Sequence, residues 1–116
     1  MNDCIFCKIA DGRIKSDIVY RDEQAVAFRD IAPQAPVHIV VIPKQHIGRS
    51  EDPEALDAAR PMMAAVNKII NEGLSGSNLK EEGYRLVVNS GKNGGQAVAH
   101  LHYHILGGRR MHWPPG

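Results

Sequence analysis

No apolar run in this chain approaches the ~18 residues that a membrane-spanning helix needs. The first residues, Met1-Asn2-Asp3-Cys4, also lack the basic and then apolar pattern of a signal peptide, so a cytoplasmic protein is expected. Neither sign of charge dominates. Fourteen Lys and Arg stand against 13 Asp and Glu, interspersed, and a net charge of +1 gives no footprint for nucleic acid. No internal repeat or low-complexity tract is present. Cysteine is scarce: the two residues, Cys4 and Cys7, form one Cys-x-x-Cys pair. In a reducing compartment that spacing points to half of a metal site or a redox pair more than to a structural disulfide. A thioredoxin-like site would need a strand before it, and at residue 4 there is no room for one. A zinc site would need two further ligands, and histidine is the available supply.

Histidine is the residue type whose arrangement stands out. Of the six, His100, His102 and His104 fall at alternate positions in Gln96–Gly108, with Leu101, Tyr103 and Ile105 between them. Side chains on a strand change face at each residue, so an extended backbone places three imidazoles on one side and a core-forming row on the other. Packing alone rarely calls for three titratable rings in line. A metal site, nucleophilic catalysis and acid–base catalysis all remain open at this point. Crowded imidazoles disfavour one another's protonation, so at least one is expected to stay neutral near pH 7 and available as a nucleophile. Three histidines without a neighbouring carboxylate match common metallohydrolase patterns poorly.

A chain of 116 residues makes one domain, 1–116, and buries about two thirds of its unfolded surface. Apolar spacing from Ile5 to Ala10 predicts a short N-terminal helix. Asp17–Arg21 and Ala25–Asp30 read as strands joined by Asp22-Glu23-Gln24. Two prolines make 30–36 a loop, and Val37–Ile42 is the strongest strand signal, with His38, Val40 and Ile42 on one face and Pro43 as its stop. Asp52 as cap and Pro53 as first helical residue open a long helix. Its apolar face is read as Leu56, Ala59, Met62, Met63, Val66, Ile69 and Ile70, with a kink or split at Pro61 and a stop at Gly73. Leu74–Gly83 is expected to be loop and Tyr84–Asn89 a strand. Glycines at 91, 94 and 95 allow positive φ and close backbone approach, so amides there can cradle an oxyanion. An irregular tail, 109–116, ends the chain. The order predicts an α+β domain: a mostly antiparallel five-stranded sheet with one long helix on a face.

His100-Leu101-His102-Tyr103-His104-Ile105-Leu106 resembles the signature of the histidine triad (HIT) family. Asp30-Ile31-x-Pro33-Gln34-Ala35-Pro36-x-His38 and Ile42-Pro43-Lys44-x-His46-Ile47 match as well. The ending from Gly107 to Trp113-Pro114-Pro115-Gly116 resembles the Hint branch, purine nucleoside phosphoramidases. The resemblance runs from about Ile5 to the C-terminus and implies a HIT-like fold. It also implies that His102 is the nucleophile toward the α-phosphorus of an AMP–amine, forming an adenylyl-histidine that water hydrolyses. His104 and His38 would orient the nucleophile and contact phosphate. Asn89, Gln96 and the amides from Gly95 through Ala97 to Val98 would hold phosphate. Asp30 would accept the ribose hydroxyls, and Ile5, Phe6, Ile9, Phe28, Ile31 and Val40 would enclose the base.

By the same resemblance the protein is a homodimer whose long helix and a sheet edge meet, with Trp113 reaching toward the partner's site. No cofactor is implied for catalysis. A structural zinc on Cys4, Cys7, His46 and His100 matches other branches of the family; two reduced thiols and a hydrogen-bonded His100 are the alternative. Ala97 stands where Hint proteins usually carry serine, so a changed rate or leaving-group preference is expected. Arg109 and Arg110 either meet an acidic leaving group or, the simpler role, solvate the surface. A non-catalytic nucleotide-binding partner protein and a dinucleotide hydrolase are the alternative functions. His104, where transferases of the superfamily usually have glutamine, argues against a nucleotidyl transferase.

Overall fold

The computed structural model describes residues 3–116; Met1 and Asn2, on which the expected start of the domain falls, lie outside the described residues. Eight elements follow one another: α1 (Ile5–Ala10), β1 (Ile18–Arg21), β2 (Ala25–Arg29), β3 (Val37–Pro43), α2 (Pro53–Asn71), α3 (Leu79–Glu82), β4 (Tyr84–Val88) and β5 (Tyr103–Gly107). The strands form one sheet in the order β1-β2-β3-β5-β4, antiparallel throughout. The expected α+β architecture is the one observed. Among the described residues no helix is long and apolar enough to cross a membrane.

The two faces of β3 divide the molecule. Every residue of β3 is buried, because both sides of the sheet are covered there. Val37, Ile39 and Val41 pack with β2, β5 and the buried stripe of α2. Val40 and Ile42 turn the other way, toward Val26, Phe28 and the α1 residues Ile9 and Ala10. His38 shares that second side by alternation. The site therefore lies on the α1 side of the sheet, and α2 supplies the support behind it.

Four expectations change. α2 runs unbroken through Pro61. A mid-helix proline costs ~3 kcal/mol. Burying Met62, Val66, Ile69 and Ile70 returns ~1.5–3 kcal/mol each, so packing wins. The carbonyl that loses its partner, that of Asp57, belongs to an exposed residue. Secondly, the buried stripe of α2 starts from Ala55 and Ala58, whereas Leu56 is 82% exposed and Met63 36%. The apolar positions of this helix span more than one face, and the sheet takes the other set. Thirdly, Asp52 occupies the cap position, but its carboxylate accepts from the Arg49 N–H at 2.9 Å and from no helix amide. Fourthly, residues 74–83 are not all loop: Asn78 Oδ1 accepts from the Glu81 N–H and caps α3, whose Leu79 is buried.

Candidate active site

The histidine stretch is a strand only from Tyr103 onward. His100, Leu101 and His102 form an unpaired lead-in, because Leu101 N–H donates across to the Ile47 carbonyl and His100 N–H to the Val98 carbonyl. Alternation persists nevertheless. Leu101, Tyr103 and Ile105 join the core under α2, and the three imidazoles line the other side. The His102 and His104 rings are 4.8 Å apart and the His104 and His38 rings 5.1 Å, with Phe6 edge-on to His102 at 5.0 Å.

Backbone groups fix the tautomers. Gln34 N–H donates to His38 Nδ1 at 3.0 Å, so in the neutral ring the proton sits on Nε2. That N–H points at His104 Nδ1, 2.9 Å away, with an Asp30 carboxylate oxygen at 3.4 Å. His104 accordingly carries its proton on Nε2. His102 Nδ1–H donates to the His100 carbonyl at 2.7 Å, which leaves the Nε2 lone pair of the buried His102 for chemistry. Burial pushes the His104 pKa down to about 4, helped by His102 and His38 and opposed by Asp30. Burial also lowers His38, again against Asp30. His38 and His104 are thus held neutral at pH 7.

A depressed histidine pKa makes stability fall on acidification. The unfolded ring takes up a proton below about 6.5 while folded His104 resists until about 4, so stability is complete above 6.5 and is lost between those values. For this half-buried ring, with solvent screening allowed for, we expect the loss at pH 5 to be about 1–2 kcal/mol. Urea unfolding of wild type and His104→Asn at pH 7.5 and 5.0 checks it. The variant should lose less than wild type on acidification; equal losses would remove the assignment.

Beside the histidines lies an apolar cavity of about 260 Å³. Ile5, Phe6, Ile9, Phe28, Asp30, Ile31, Val40 and Val98 all line it, so the structure brings these expected binding residues together. Ile31, 97% exposed, forms its outer rim. Asp30 is oriented there by the Ala32 N–H, which donates to Oδ1 at 2.8 Å. Ile14, Lys15 and Ser16 also line the cavity and were missed. They sit on the turn between α1 and β1, where composition gives no signal.

The glycine loop holds its conformation as expected: φ is +73° at Gly91 and +78° at Gly95, and a Cβ on Gly94 would lie 2.5 Å from the Ser90 carbonyl oxygen. Its amides divide into two sets. Those of Gly95 and Gln96 donate within the loop, to Lys92 and Gly91 carbonyls, and are not available to phosphate. Those of Ala97, Val98 and Ala99 donate to no described group. The Gln96 side chain is likewise committed: Oε1 accepts from Gly91 N–H, and Nε2 donates to the Gly48 and Val98 carbonyls. It staples the loop where direct phosphate contact was expected. The β4–β5 ladder ends at Val88 and Tyr103, one residue short of Asn89 and of His102. Trp113 is 82% exposed and not among the residues lining the cavity of its own chain. Arg85 fixes the tail by donating to the His112 carbonyl.

On the far side of His102 a second set gathers. One donor atom from each of Cys4, Cys7, His46 and His100 lies within 4.8 Å of the others. His100 Nδ1 is 3.4 Å from Cys4 Sγ and 3.5 Å from Cys7 Sγ, and His46 Nδ1 is 3.2 Å from Cys7 Sγ. His100 Nε2–H donates to the Pro43 carbonyl at 2.9 Å, so its Nδ1 lone pair is turned toward the sulfurs. Burial keeps this ring neutral by lowering its pKa. Two thiols and two lone-pair nitrogens at such spacings fit a tetrahedral soft ion. Asp30, His38 and His104 are also mutually close, but the His38 and His104 nitrogens are spent on each other.

An antiparallel sheet that carries a row of tautomer-fixed histidines beside an apolar cavity defines a histidine-triad domain. Residues 11–111 match the HIT domain, and the chain belongs to the HIT family. An uncharacterized HIT-like protein of Synechococcus elongatus is 50% identical, over 98% of this chain and 97% of that one. The crystal structure of a HIT family hydrolase from Legionella pneumophila is similar at a TM-score of 0.82 and 47% identity, covering 98% of this chain and all of that one. A histidine triad protein from Clostridium difficile gives 0.85 at 43% identity, over 96% and 95% of the two chains.

Proposed function

We propose that the chain is a hydrolase of nucleoside 5′-phosphoramidates, cleaving the P–N bond of an AMP–amine through His102. The observation that supports this most is the 2.7 Å hydrogen bond from His102 Nδ1–H to the His100 carbonyl, which in the neutral ring leaves the Nε2 lone pair as the nucleophile. The purine enters the apolar cavity, and Asp30 accepts from the ribose hydroxyls. The α-phosphate lies against the amides of Ala97 and Val98, with Asn89 and His104 Nε2–H beside it. Nε2 attacks phosphorus, the P–N bond breaks, and the leaving nitrogen takes a proton from solvent water. Water then attacks phosphorus, and AMP and free His102 result. The test is hydrolysis of adenosine 5′-phosphoramidate, with rapid quench and mass analysis for an adenylyl group on His102. Turnover with the adduct supports the reading; tight AMP binding without turnover would make this a nucleotide-binding protein instead.

The neighbouring Cys4, Cys7, His46 and His100 would hold zinc as a closed structural site, with no position for substrate. Bound there, the ion would tie α1 to the segments after β3 and before β5.

A homodimer is part of the same proposal. Leu56 and Met63 expose apolar surface on the outer side of α2, and β4 is a sheet edge with Tyr84 and Val88 more than 40% exposed. A second copy would cover these and bring Trp113 toward the partner's cavity. Light scattering should give about twice 12.7 kDa for wild type and a monomer for Leu56→Glu/Met63→Glu. A monomeric wild type would remove the dimer.

A further inference from the structure

Resting on the phosphoramidase reading, we infer that a second cavity receives the departing amine and selects amines that bear a carboxylate. This cavity, about 670 Å³, is lined by Ala97 and Ala99 and by the charged residues Arg49, Lys92 and Asp52. Side chains alternate along 97–99: Val98 lines the apolar cavity, and Ala97 and Ala99 line this one. The three uncommitted amides belong to this segment, whose residues line one cavity or the other. A phosphate held at that segment has its nucleoside on the Val98 side. The group leaving phosphorus must then depart into a different volume, and the polar cavity borders the same segment.

Arg49 is held in place before any substrate arrives. Its guanidinium lies on Gly91, where an added Cβ would come 3.1 Å from Nη2. Gly91 itself is required by its positive φ of +73°. Gln96 binds the loop at Gly91, the carbonyl of Gly48 next to Arg49, and the segment at Val98 into one unit. The acids nearby are already engaged: Asp52 accepts from Arg49 N–H, and Glu51 accepts from the Ser90 hydroxyl at 2.6 Å and from Arg49 Nη1 at 3.4 Å. Arg49 Nη2 and the exposed Lys92 ammonium are left for an incoming anion. Arg109, for which with Arg110 surface solvation is the expected role, donates to the Gln34 and Arg110 carbonyls. The small side chain of Ala97 leaves room for the branch that carries the carboxylate.

The experiment compares kcat/KM for two substrates that differ only in charge: AMP joined through nitrogen to alanine, and AMP joined to alaninamide. Wild type should prefer the acid by about tenfold, as expected for a charge-assisted contact at a partly exposed site. Arg49→Gln and Lys92→Gln should each shrink the ratio, the double variant should bring it near one, and Arg49→Lys should restore part of it. Equal rates in wild type, or a ratio that survives the double variant, overturn the inference alone. Failure of wild type to hydrolyse either substrate overturns the phosphoramidase reading and this inference with it.

Discussion

Replacing His102 with alanine should lower AMP–amine hydrolysis by about 10⁴-fold or more, with the loss in kcat, and abolish the adenylyl adduct in a rapid quench. The expected size follows from what the residue supplies. The nucleophile splits one difficult displacement at phosphorus into two easier ones, and no other described group offers an oriented lone pair at the same place. His38 Nε2–H points to His104, and the His104 lone pair is occupied by it. Water cannot simply substitute, because His102 is buried and closed in by Phe6 and His104. AMP binding should persist in the variant, since the proposed base and ribose contacts come from α1, β2, β3 and the Asp30–Ile31 segment after β2. An unchanged rate in His102→Ala protein of normal thermal stability would eliminate the mechanism. A wild type that binds AMP and never turns over would identify a binding module.

The second large effect concerns the cysteines. Protein purified without chelator should contain one zinc per chain, and Cys4→Ser/Cys7→Ser should contain none. An ion present at a thousandfold excess over its Kd stabilises the folded chain by about 4 kcal/mol, worth about 15 °C in Tm for a domain of this size. The chain has a core of its own, so the variant should still fold. Its hydrolysis rate should also fall, because His100 serves both sites: its ring faces the sulfurs, and its carbonyl holds His102. Metal analysis and calorimetry decide the matter. Absence of zinc from wild type, together with an EDTA-independent Tm, would leave two reduced thiols and an ordinary buried histidine.

Much of this was legible before folding. Hydrophobic alternation and proline placement gave the strands, the sheet type and the long helix, because side-chain period and backbone constraint are local properties. Residue type and spacing gave the histidine row and half of a cysteine site; the resemblance to the histidine triad family supplied the full Cys₂His₂ set and the apolar residues of the cavity. The misses have a common source. Leu56 and Ala55 are equally plausible on one helical turn, and only the sheet beneath chooses between them. Gln96 carries donors and acceptors suited to phosphate, but the fold brings Gly48, Gly91 and Val98 within its reach, and they consume it. Ile14, Lys15 and Ser16 enter the cavity because the chain turns there.

The sequence by itself determined which chemical groups this protein has and which sides of its strands they share. Only the tertiary structure decided which nitrogen of each imidazole bears the proton. Those protons are set by the Gln34 amide and the His100 and Pro43 carbonyls, main-chain groups that every residue possesses and that no residue type announces. The orientation of the His102 ring is therefore set by where the backbone passes.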